Sequence, residues 1–170
     1  MPEPLKQDSP IEKSDPESRS SAELSPVVKI FASGLYSGYA PFASGTFGAL
    51  VGLLIYLIPS FEQSAIILPS CAVLFVLGSF AAGRMEKVYG HDPSSVTIDE
   101  VLGMWISLLF LPKSFFVIAG AFFLFRAFDV FKPWPARIFD RMHGGWNIML
   151  DDVVAGLYAN LVLQIALRVI

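Results

Sequence analysis

The chain has 170 residues, of which 54% are hydrophobic and 16% are charged, and its mean hydropathy is +0.59. Soluble domains carry roughly a quarter of charged residues, so this composition favours one membrane-embedded domain over a soluble one. The net charge of −3 argues against nucleic-acid binding, which requires a basic surface.

The first 26 residues differ in composition from the rest of the chain. Prolines there alternate with Ser, Glu, Lys and Asp, and the segment contains almost no apolar residues. Such a segment cannot bury enough surface to offset its ordering entropy, so we predict a disordered polar tail over residues 1–26. It has no apolar core of a signal peptide. Residues 27–170 are predicted to form the membrane-embedded domain.

Five apolar stretches follow the tail, at residues 47–59, 64–82, 101–111, 115–128 and 153–170. A full membrane span needs about 20 apolar residues, a length that only the second and the last stretch approach. The first can be lengthened backward from Ile30, and the third and fourth are joined by a short connection suited to a helical hairpin. The sequence therefore predicts an all-α fold, a polytopic membrane helical bundle with four to five apolar helices.

The distribution of basic residues predicts the orientation of this bundle. Arg84 and Lys87 follow the second apolar stretch, and further basic residues follow the fourth, whereas the opposite loops hold only Glu62 and Lys113. By the positive-inside rule the basic loops and the N-terminus face the cytoplasm. All candidate functional charges then lie at the same face of the membrane.

Two pairs of adjacent acids stand where polar sequence gives way to apolar sequence. Asp99 and Glu100 are expected to begin the third helix, and Asp151 and Asp152 the last one, where carboxylates cap free N–H groups. One carboxylate suffices for a cap, so capping explains either pair singly but explains two doubled pairs poorly. Mg²⁺ relieves repulsion between carboxylates and accepts such ligands. With Asp129 added, the pattern favours a metal site formed by all five acids.

The segment FRAFDVFKPWP, at residues 125–135, places charges of both signs among aromatic residues. Arg126, Asp129 and Lys132 recur at three-residue spacing, so they share one helix face. Interfacial ion pairs of small energetic value are the alternative interpretation. The neighbouring phenylalanines keep this helix end partly out of water, where unused charges are costly. Pro133 and Pro135 are expected to end the helix.

Arg137 and Arg141 lie four residues apart beyond these prolines. Guanidinium groups suit the planar oxygens of a phosphate, so both are candidate substrate-binding residues. The alternative is a belt of basic residues that reach toward the cytoplasmic headgroups, which is the favoured interpretation for Arg137 alone.

A Gly- and Ser-rich segment over residues 38–48 precedes the first long apolar stretch. A turn of this type can offer backbone N–H groups to a phosphate, and Thr46 is the candidate substrate contact. The alternative is an ordinary turn in which Ser44 or Thr46 caps the helix. His91 and His143 lie in the cytoplasmic loops; either could transfer protons, but exposed loop histidines are mostly inert.

Several phosphatase mechanisms are excluded by the sequence. Cys71 lies within an apolar stretch and has no arginine six residues later, and no Asp-x-Asp pair occurs. Activation of water by a metal ion held by carboxylates is the chemistry that remains.

Four segments together resemble the phosphatidylglycerophosphatase A family of bacterial inner-membrane enzymes. They are SGTFG at 44–48, HDPSSVTIDEVLGMW at 91–105, FRAFDVFKPWP at 125–135 and HGGWNIMLDDVVAG at 143–156. The resemblance covers residues 30–165 in order. It implies a Mg²⁺-dependent phosphoric monoester hydrolase that converts phosphatidylglycerophosphate to phosphatidylglycerol and phosphate in phospholipid biosynthesis. It also implies a multi-pass protein of the inner membrane, with no obligate protein partner evident.

The residues and the resemblance combine into one mechanistic hypothesis. The acids Asp99, Glu100, Asp129 and Asp152 are expected to act in catalysis, and together with Asp151 to hold Mg²⁺. Arg126 and Lys132 are expected to bind the phosphate, with Arg137 and Arg141 near the bridging phosphodiester. Water activated by the ion would attack phosphorus while a carboxylate takes its proton. The alternatives are a lipid phosphatase for another monoester such as phosphatidate, an ion-coupled transporter, and a non-catalytic bundle.

Overall fold

A computed structural model describes residues 24–169, and within them the chain forms seven α-helices and no strand. The helices are α1 Pro26–Ala32, α2 Ser44–Tyr56, α3 Ser64–Tyr89, α4 Ile98–Ser107, α5 Phe115–Phe131, α6 Ala136–Asp140 and α7 Gly145–Val169, with a 3-10 helix at Ser37–Tyr39. The predicted all-α class is confirmed.

The short helix α4 lies at the centre of the fold. It contacts α2, α3, α5 and α7, and every residue of α4 except Glu100 is buried. Glycines allow this helix to approach α7 closely: a Cβ built on Gly156 would lie 2.5 Å from the carbonyl oxygen of Gly103. Small residues at such crossings bring two backbones together, as is common in membrane helix packing. On the other side, the Trp105 indole donates a hydrogen bond of 2.9 Å to the Gly52 carbonyl.

The predicted number of membrane spans was wrong by the criterion of helix length and composition. Among the described residues only α3, with 26 residues, and α7, with 25, are long and apolar enough to cross a bilayer. Helix α2 has 13 residues, α4 has 10 and α5 has 17, which is short of the roughly 20 that a span requires. The stretch at 101–111 is apolar because α4 is enclosed by protein, and a hydropathy pattern does not distinguish protein from lipid.

Two predicted helix starts were also wrong. Helix α2 does not reach back to Ile30, because α1 ends at Ala32 and a turn separates the two helices. Ala43, which directly precedes α2, has the left-handed conformation with φ 48°. No side chain caps α2, so neither Ser44 nor Thr46 has that role. Helix α7 begins at Gly145, so its two acids lie in the second turn rather than at its start.

Other predicted boundaries were confirmed. Asp99 and Glu100 lie in the first turn of α4, and α5 ends at Phe131, just before the proline pair. Most of the predicted polar tail, residues 1–23, lies outside the described residues. Its last residue, Pro26, is already the first residue of α1, where the absence of a proline N–H has no cost.

Candidate active site

A cavity of about 290 Å³ lies where the first turns of α2 and α4 meet the end of α5 and the second turn of α7. Its lining holds eight charged residues: Asp92, Asp99, Glu100, Arg126, Asp129, Lys132, Asp151 and Asp152. Six of these are acids and two are basic, so the site carries a large excess of carboxyl groups. The five acids predicted for the metal site all line this cavity, and so do Arg126 and Lys132, which were predicted to share a helix face with Asp129.

The acids of α4 and α7 converge closely. One carboxylate oxygen from each of Asp99, Glu100 and Asp152 lies within 4.8 Å of the others. The Asp99 and Asp152 side chains are buried. The first acid of each pair also accepts a hydrogen bond from the next backbone N–H, at 3.1 Å for Glu100 N to Asp99 Oδ1 and at 3.0 Å for Asp152 N to Asp151 Oδ1. Only one oxygen of Asp99 and one of Asp151 are used in this way.

One carboxylate oxygen of Glu100 has no hydrogen-bond partner among the described residues. This atom, Oε2, is buried. Burial, together with the adjacent negative charge of Asp99, raises the pKa of Glu100 well above its usual range. Burial also raises the pKa of Asp99. Both residues lie outside the two long apolar helices. Either a proton or a bound cation would relieve the repulsion between these carboxylates.

Arg126 lies near Glu100 on the α5 side of the cavity. Its Nη1 atom is in ion-pair contact with Asp129 Oδ2, although the contact lacks the direction of a hydrogen bond and Nη1 is otherwise buried without an acceptor. The start of α2 packs directly on this group: a Cβ built on Gly45 would lie within 3 Å of both Glu100 and the Arg126 guanidinium. A side chain at position 45 would therefore displace the ends of the Glu100 and Arg126 side chains.

Lys132 closes the opposite side of the cavity. It follows α5 directly in a left-handed conformation with φ 43°, which turns its side chain toward α7. Its Nζ donates a 2.7 Å hydrogen bond to Asp151 Oδ2 and also pairs with Asp140 Oδ1. Burial alone would lower the pKa of Lys132, but the negative charge of Asp151 and the hydrogen bonds to Asp140 and Asp151 raise it. Lys132 is thus a fixed cation.

The remaining predicted substrate-binding residues lie outside this cavity. Arg137 and Arg141 line a second cavity of about 680 Å³, together with the exposed Trp134. Lys132 lines both cavities and so stands between them. Thr46 lies in the first turn of α2 next to Gly45 but is not part of the cavity lining.

Three acids near the site were not predicted from the sequence. Asp92 lines the cavity, Asp140 pairs with Lys132, and Glu86 accepts contacts from both histidines. Asp92 directly follows His91 in one of the four segments that carry the family resemblance, which is the signal that could have pointed to it. The other two are single acids with no local pattern.

The chain is similar to one protein family over most of its length. The model of the family described as phosphatidylglycerophosphatase A matches residues 30–167. The chain belongs to this family. Membership confirms the predicted family and, with it, the predicted enzyme class of phosphoric monoester hydrolase. No solved structure matches the chain.

Three curated relatives are similar over most of their length. A putative phosphatidylinositol-3-phosphatase of Bacteroides thetaiotaomicron is 38% identical over 149 residues, which cover 83% of this chain and 94% of the relative. Phosphatidylglycerophosphatase A of Escherichia coli is 37% identical over 130 residues, covering 75% of this chain and 76% of the relative. The Haemophilus influenzae protein of the same name is 38% identical over 139 residues, covering 79% and 85%.

Proposed function

We propose that this chain is a Mg²⁺-dependent phosphatase that removes the terminal phosphate of phosphatidylglycerophosphate and releases phosphatidylglycerol and inorganic phosphate, in phospholipid biosynthesis. The observation that carries the proposal is the convergence of Asp99, Glu100 and Asp152, with carboxylate oxygens within 4.8 Å, beside two basic side chains in one cavity. The family membership supports the substrate.

The donor set of the cavity fits a hard divalent cation. It offers carboxylate oxygens without histidine or cysteine, which is the ligand type that Mg²⁺ prefers. A bound cation would give the unpartnered Glu100 Oε2 a ligand bond. It would also offset part of the negative charge of a cavity that holds six acids and two basic residues. Asp99, Glu100 and Asp152 would hold the ion, with Asp129 and Asp151 at its edge. When bound, the ion would supply positive charge and acidify an attacking water molecule.

The basic residues would hold the terminal phosphate. Arg126 has a planar guanidinium suited to two phosphate oxygens, and Lys132 provides a compact charge on the other side. Both are paired with acids, Arg126 with Asp129 and Lys132 with Asp140 and Asp151. These acids fix the two cations in place, so the side chains need little reorganisation to stabilise charge that develops on the phosphoryl oxygens. A nearby carboxylate would accept the proton of the attacking water.

The start of α2 would complete the phosphate site. Ser44 and Gly45 line the cavity, and the first N–H groups of a helix have no acceptor within the helix. They therefore favour an anion. Thr46, one residue further, lies outside the cavity lining and its N–H donates to the Ala43 carbonyl, so it would support this turn without contacting the phosphate.

The lipid part of the substrate would lie toward the second cavity. Arg137 and Arg141 line it beside aromatic and aliphatic side chains, and Lys132 connects it to the acidic cavity. This arrangement suits a bridging phosphodiester next to Arg137 and Arg141 while the terminal phosphate lies beside Lys132.

Exposed apolar surface supports a location in the bacterial inner membrane. Only 33% of the apolar window of α3 and 39% of that of α7 are buried in protein, so both helices present apolar side chains outward. Phe115, Phe116 and Phe123 of α5 are also largely exposed. Surface of this extent is typical of contact with lipid. We place the site at the cytoplasmic face, because the basic residues that follow α5 cluster there under the positive-inside rule.

A second substrate is suggested by one relative. The Bacteroides relative carries the name putative phosphatidylinositol-3-phosphatase, and the match covers 94% of its length. Its name, like those of the other two relatives, specifies a phosphate monoester on a polar phospholipid headgroup. The same cavity could therefore accept a phosphoinositide.

Phosphate release from defined lipids tests these proposals. The purified protein in detergent would be given phosphatidylglycerophosphate, phosphatidylinositol 3-phosphate and phosphatidate, each with Mg²⁺ and with a chelator. We expect the highest kcat/KM for phosphatidylglycerophosphate, loss of turnover with chelator and recovery on addition of Mg²⁺. Turnover that persists in chelator would refute the metal requirement, and preference for the phosphoinositide would favour the second substrate. Ion flux in liposomes without phosphate release would favour a transporter instead.

A further inference from the structure

A second group of side chains of the types that ligate metals, Glu86, His91 and His143, lies outside the acidic cavity. Glu86, near the end of α3, contacts two histidines: His91 Nδ1 lies 3.2 Å and His143 Nδ1 lies 3.1 Å from Glu86 Oε1. The imidazole rings are adjacent, with centroids 4.4 Å apart. His91 and His143 are the two histidines of the entire chain, and they come from loops separated by about 50 residues.

The hydrogen bonds of His91 leave a mismatch in protons. Its Nε2 atom lies 3.1 Å from the carbonyl oxygen of Asp140, which can only accept, so Nε2 must carry the proton. In a neutral imidazole Nδ1 is then a lone pair, and this lone pair faces a carboxylate oxygen. Nδ1 can face this oxygen in two ways: His91 is an imidazolium that pairs with Glu86, or a metal ion binds both atoms.

His143 converges on the same carboxylate oxygen. Its Nδ1 atom lies 3.1 Å from Glu86 Oε1, and one ligand atom from each of Glu86, His91 and His143 lies within 4.8 Å of the others. One divalent ion satisfies both nitrogens and the oxygen at once. The spacings also fit: bonds of about 2.0–2.1 Å in a tetrahedral site separate neighbouring ligand atoms by roughly 3.3 Å.

The contacts around the three side chains are those of a supported metal site. Ligating histidines commonly donate their second N–H to a backbone carbonyl, as His91 does to Asp140. The other carboxylate oxygen, Glu86 Oε2, accepts a 2.8 Å hydrogen bond from the Gly144 N–H, which fixes the carboxylate plane and directs Oε1 to the histidines.

We propose that Glu86, His91 and His143 form a binding site for a borderline transition-metal ion, with Zn²⁺ as the expected occupant. Two imidazoles and one carboxylate suit Zn²⁺, whereas Mg²⁺ prefers oxygen ligands. The site has three protein ligands and an open side, since 79% of the His143 side chain is exposed. A bound ion would join the end of α3 to the loop that carries Asp92 and to the turn before α7, and so brace two walls of the acidic cavity. This inference does not depend on the proposed substrate.

Metal binding to the full-length protein tests the inference directly. The protein would be purified in detergent without a polyhistidine tag, stripped with chelator and dialysed against Zn²⁺ in a large excess of Mg²⁺. We expect one equivalent of tightly bound Zn²⁺, and affinity weakened at least about 100-fold by His143→Ala or Glu86→Gln. Co²⁺ in place of Zn²⁺ should give the visible absorption of a tetrahedral ion, and His143→Ala should abolish it.

The matched control separates this site from the acidic cavity. Asp99→Asn and Asp152→Asn should keep the tightly bound Zn²⁺ equivalent, because their carboxylates lie in the other group. Zn²⁺ should also raise the thermal unfolding temperature of the wild type but not of His143→Ala. Because His143 is exposed, we expect His143→Ala to fold as the wild type does. Absence of a tight equivalent in the wild type, equal Zn²⁺ affinity in His143→Ala, or loss of the equivalent only in Asp99→Asn would overturn the proposal.

Discussion

Lys132 Nζ donates a 2.7 Å hydrogen bond to Asp151 Oδ2 across the boundary between α5 and α7. The left-handed conformation of Lys132 is what allows this contact, because a residue that continued α5 would direct its side chain elsewhere. The same Nζ pairs with Asp140, so one cation is shared by two acids from different helices. Lys132 lines both cavities, so in the proposed function it would contact the phosphorylated headgroup from between them.

Replacement of Lys132 by methionine should lower kcat/KM about 10²–10³-fold, because a preorganised cation is lost from the phosphoryl site. Lys132→Arg should recover only part of the activity, since a planar guanidinium does not reproduce a compact charge between two acids. Steady-state phosphate release with phosphatidylglycerophosphate measures both effects. The exposed Arg84→Met, outside the acidic cavity, is the matched control and should stay within about twofold of wild type. Full activity in Lys132→Met would contradict the assignment.

The carboxylates should govern the response to Mg²⁺. Asp99→Asn and Asp152→Asn each remove one negative ligand while preserving shape, so turnover should fall at least about 100-fold and the Mg²⁺ concentration for half-maximal rate should rise. Titration of phosphate release with Mg²⁺ provides the measurement. Glu62→Gln is the control, because Glu62 lies in a loop where it pairs with Lys113 at 2.8 Å. Either Asn variant that kept full turnover at saturating Mg²⁺ would remove that residue from the ligand set.

The convergence of the acids could be predicted because both pairs interrupt apolar sequence, and such boundaries lie at membrane faces. The residue at which α7 begins could not be predicted from the sequence. Gly144 and Gly145 resemble a turn, but a Cβ on Gly145 would lie less than 3 Å from the Ser79 backbone, so Gly145 serves close packing of α7 on α3. That contact is tertiary and leaves no local signal.

The number of membrane spans was predicted wrongly and the isolated acids were not predicted at all, for related reasons. Apolar sequence indicates removal from water, and α4 is removed by neighbouring helices. Asp140 and Glu86 gain their roles from partners that only the fold brings near, namely Lys132 and the two histidines. Neither pattern is visible in a single segment.

The crossing of α4 and α7 should be sensitive to added volume. Gly156→Ala places a methyl group 2.5 Å from the Gly103 carbonyl, so the helices must separate. Overpacking of this kind costs about 1–3 kcal/mol, which should lower the thermal unfolding temperature in detergent by several degrees. Gly120→Ala on α5 meets only the flexible end of Leu163, at 3.2 Å, and should be tolerated. Equal unfolding temperatures for the two variants would show that the crossing adjusts freely.

Gly45 provides a test of the active site that changes no charged group. Gly45→Ala introduces a methyl group within 3 Å of Glu100 and the Arg126 guanidinium, so these side chains must move. Because displacement of a positioned group by about 1 Å can cost roughly 100-fold, kcat/KM should fall by about 10–100-fold while the unfolding temperature changes little.

The control is Gly83→Ala in α3, where the nearest atom to the new methyl group lies 3.4 Å away, at ordinary contact distance. This variant should keep its activity and gain slightly in stability, because alanine favours helices. If Gly45→Ala keeps wild-type kcat/KM, then Glu100 and Arg126 do not need their observed positions, and the proposed geometry of the phosphoryl site is wrong. If it loses activity and Gly83→Ala does not, the close approach of α2 is required for catalysis.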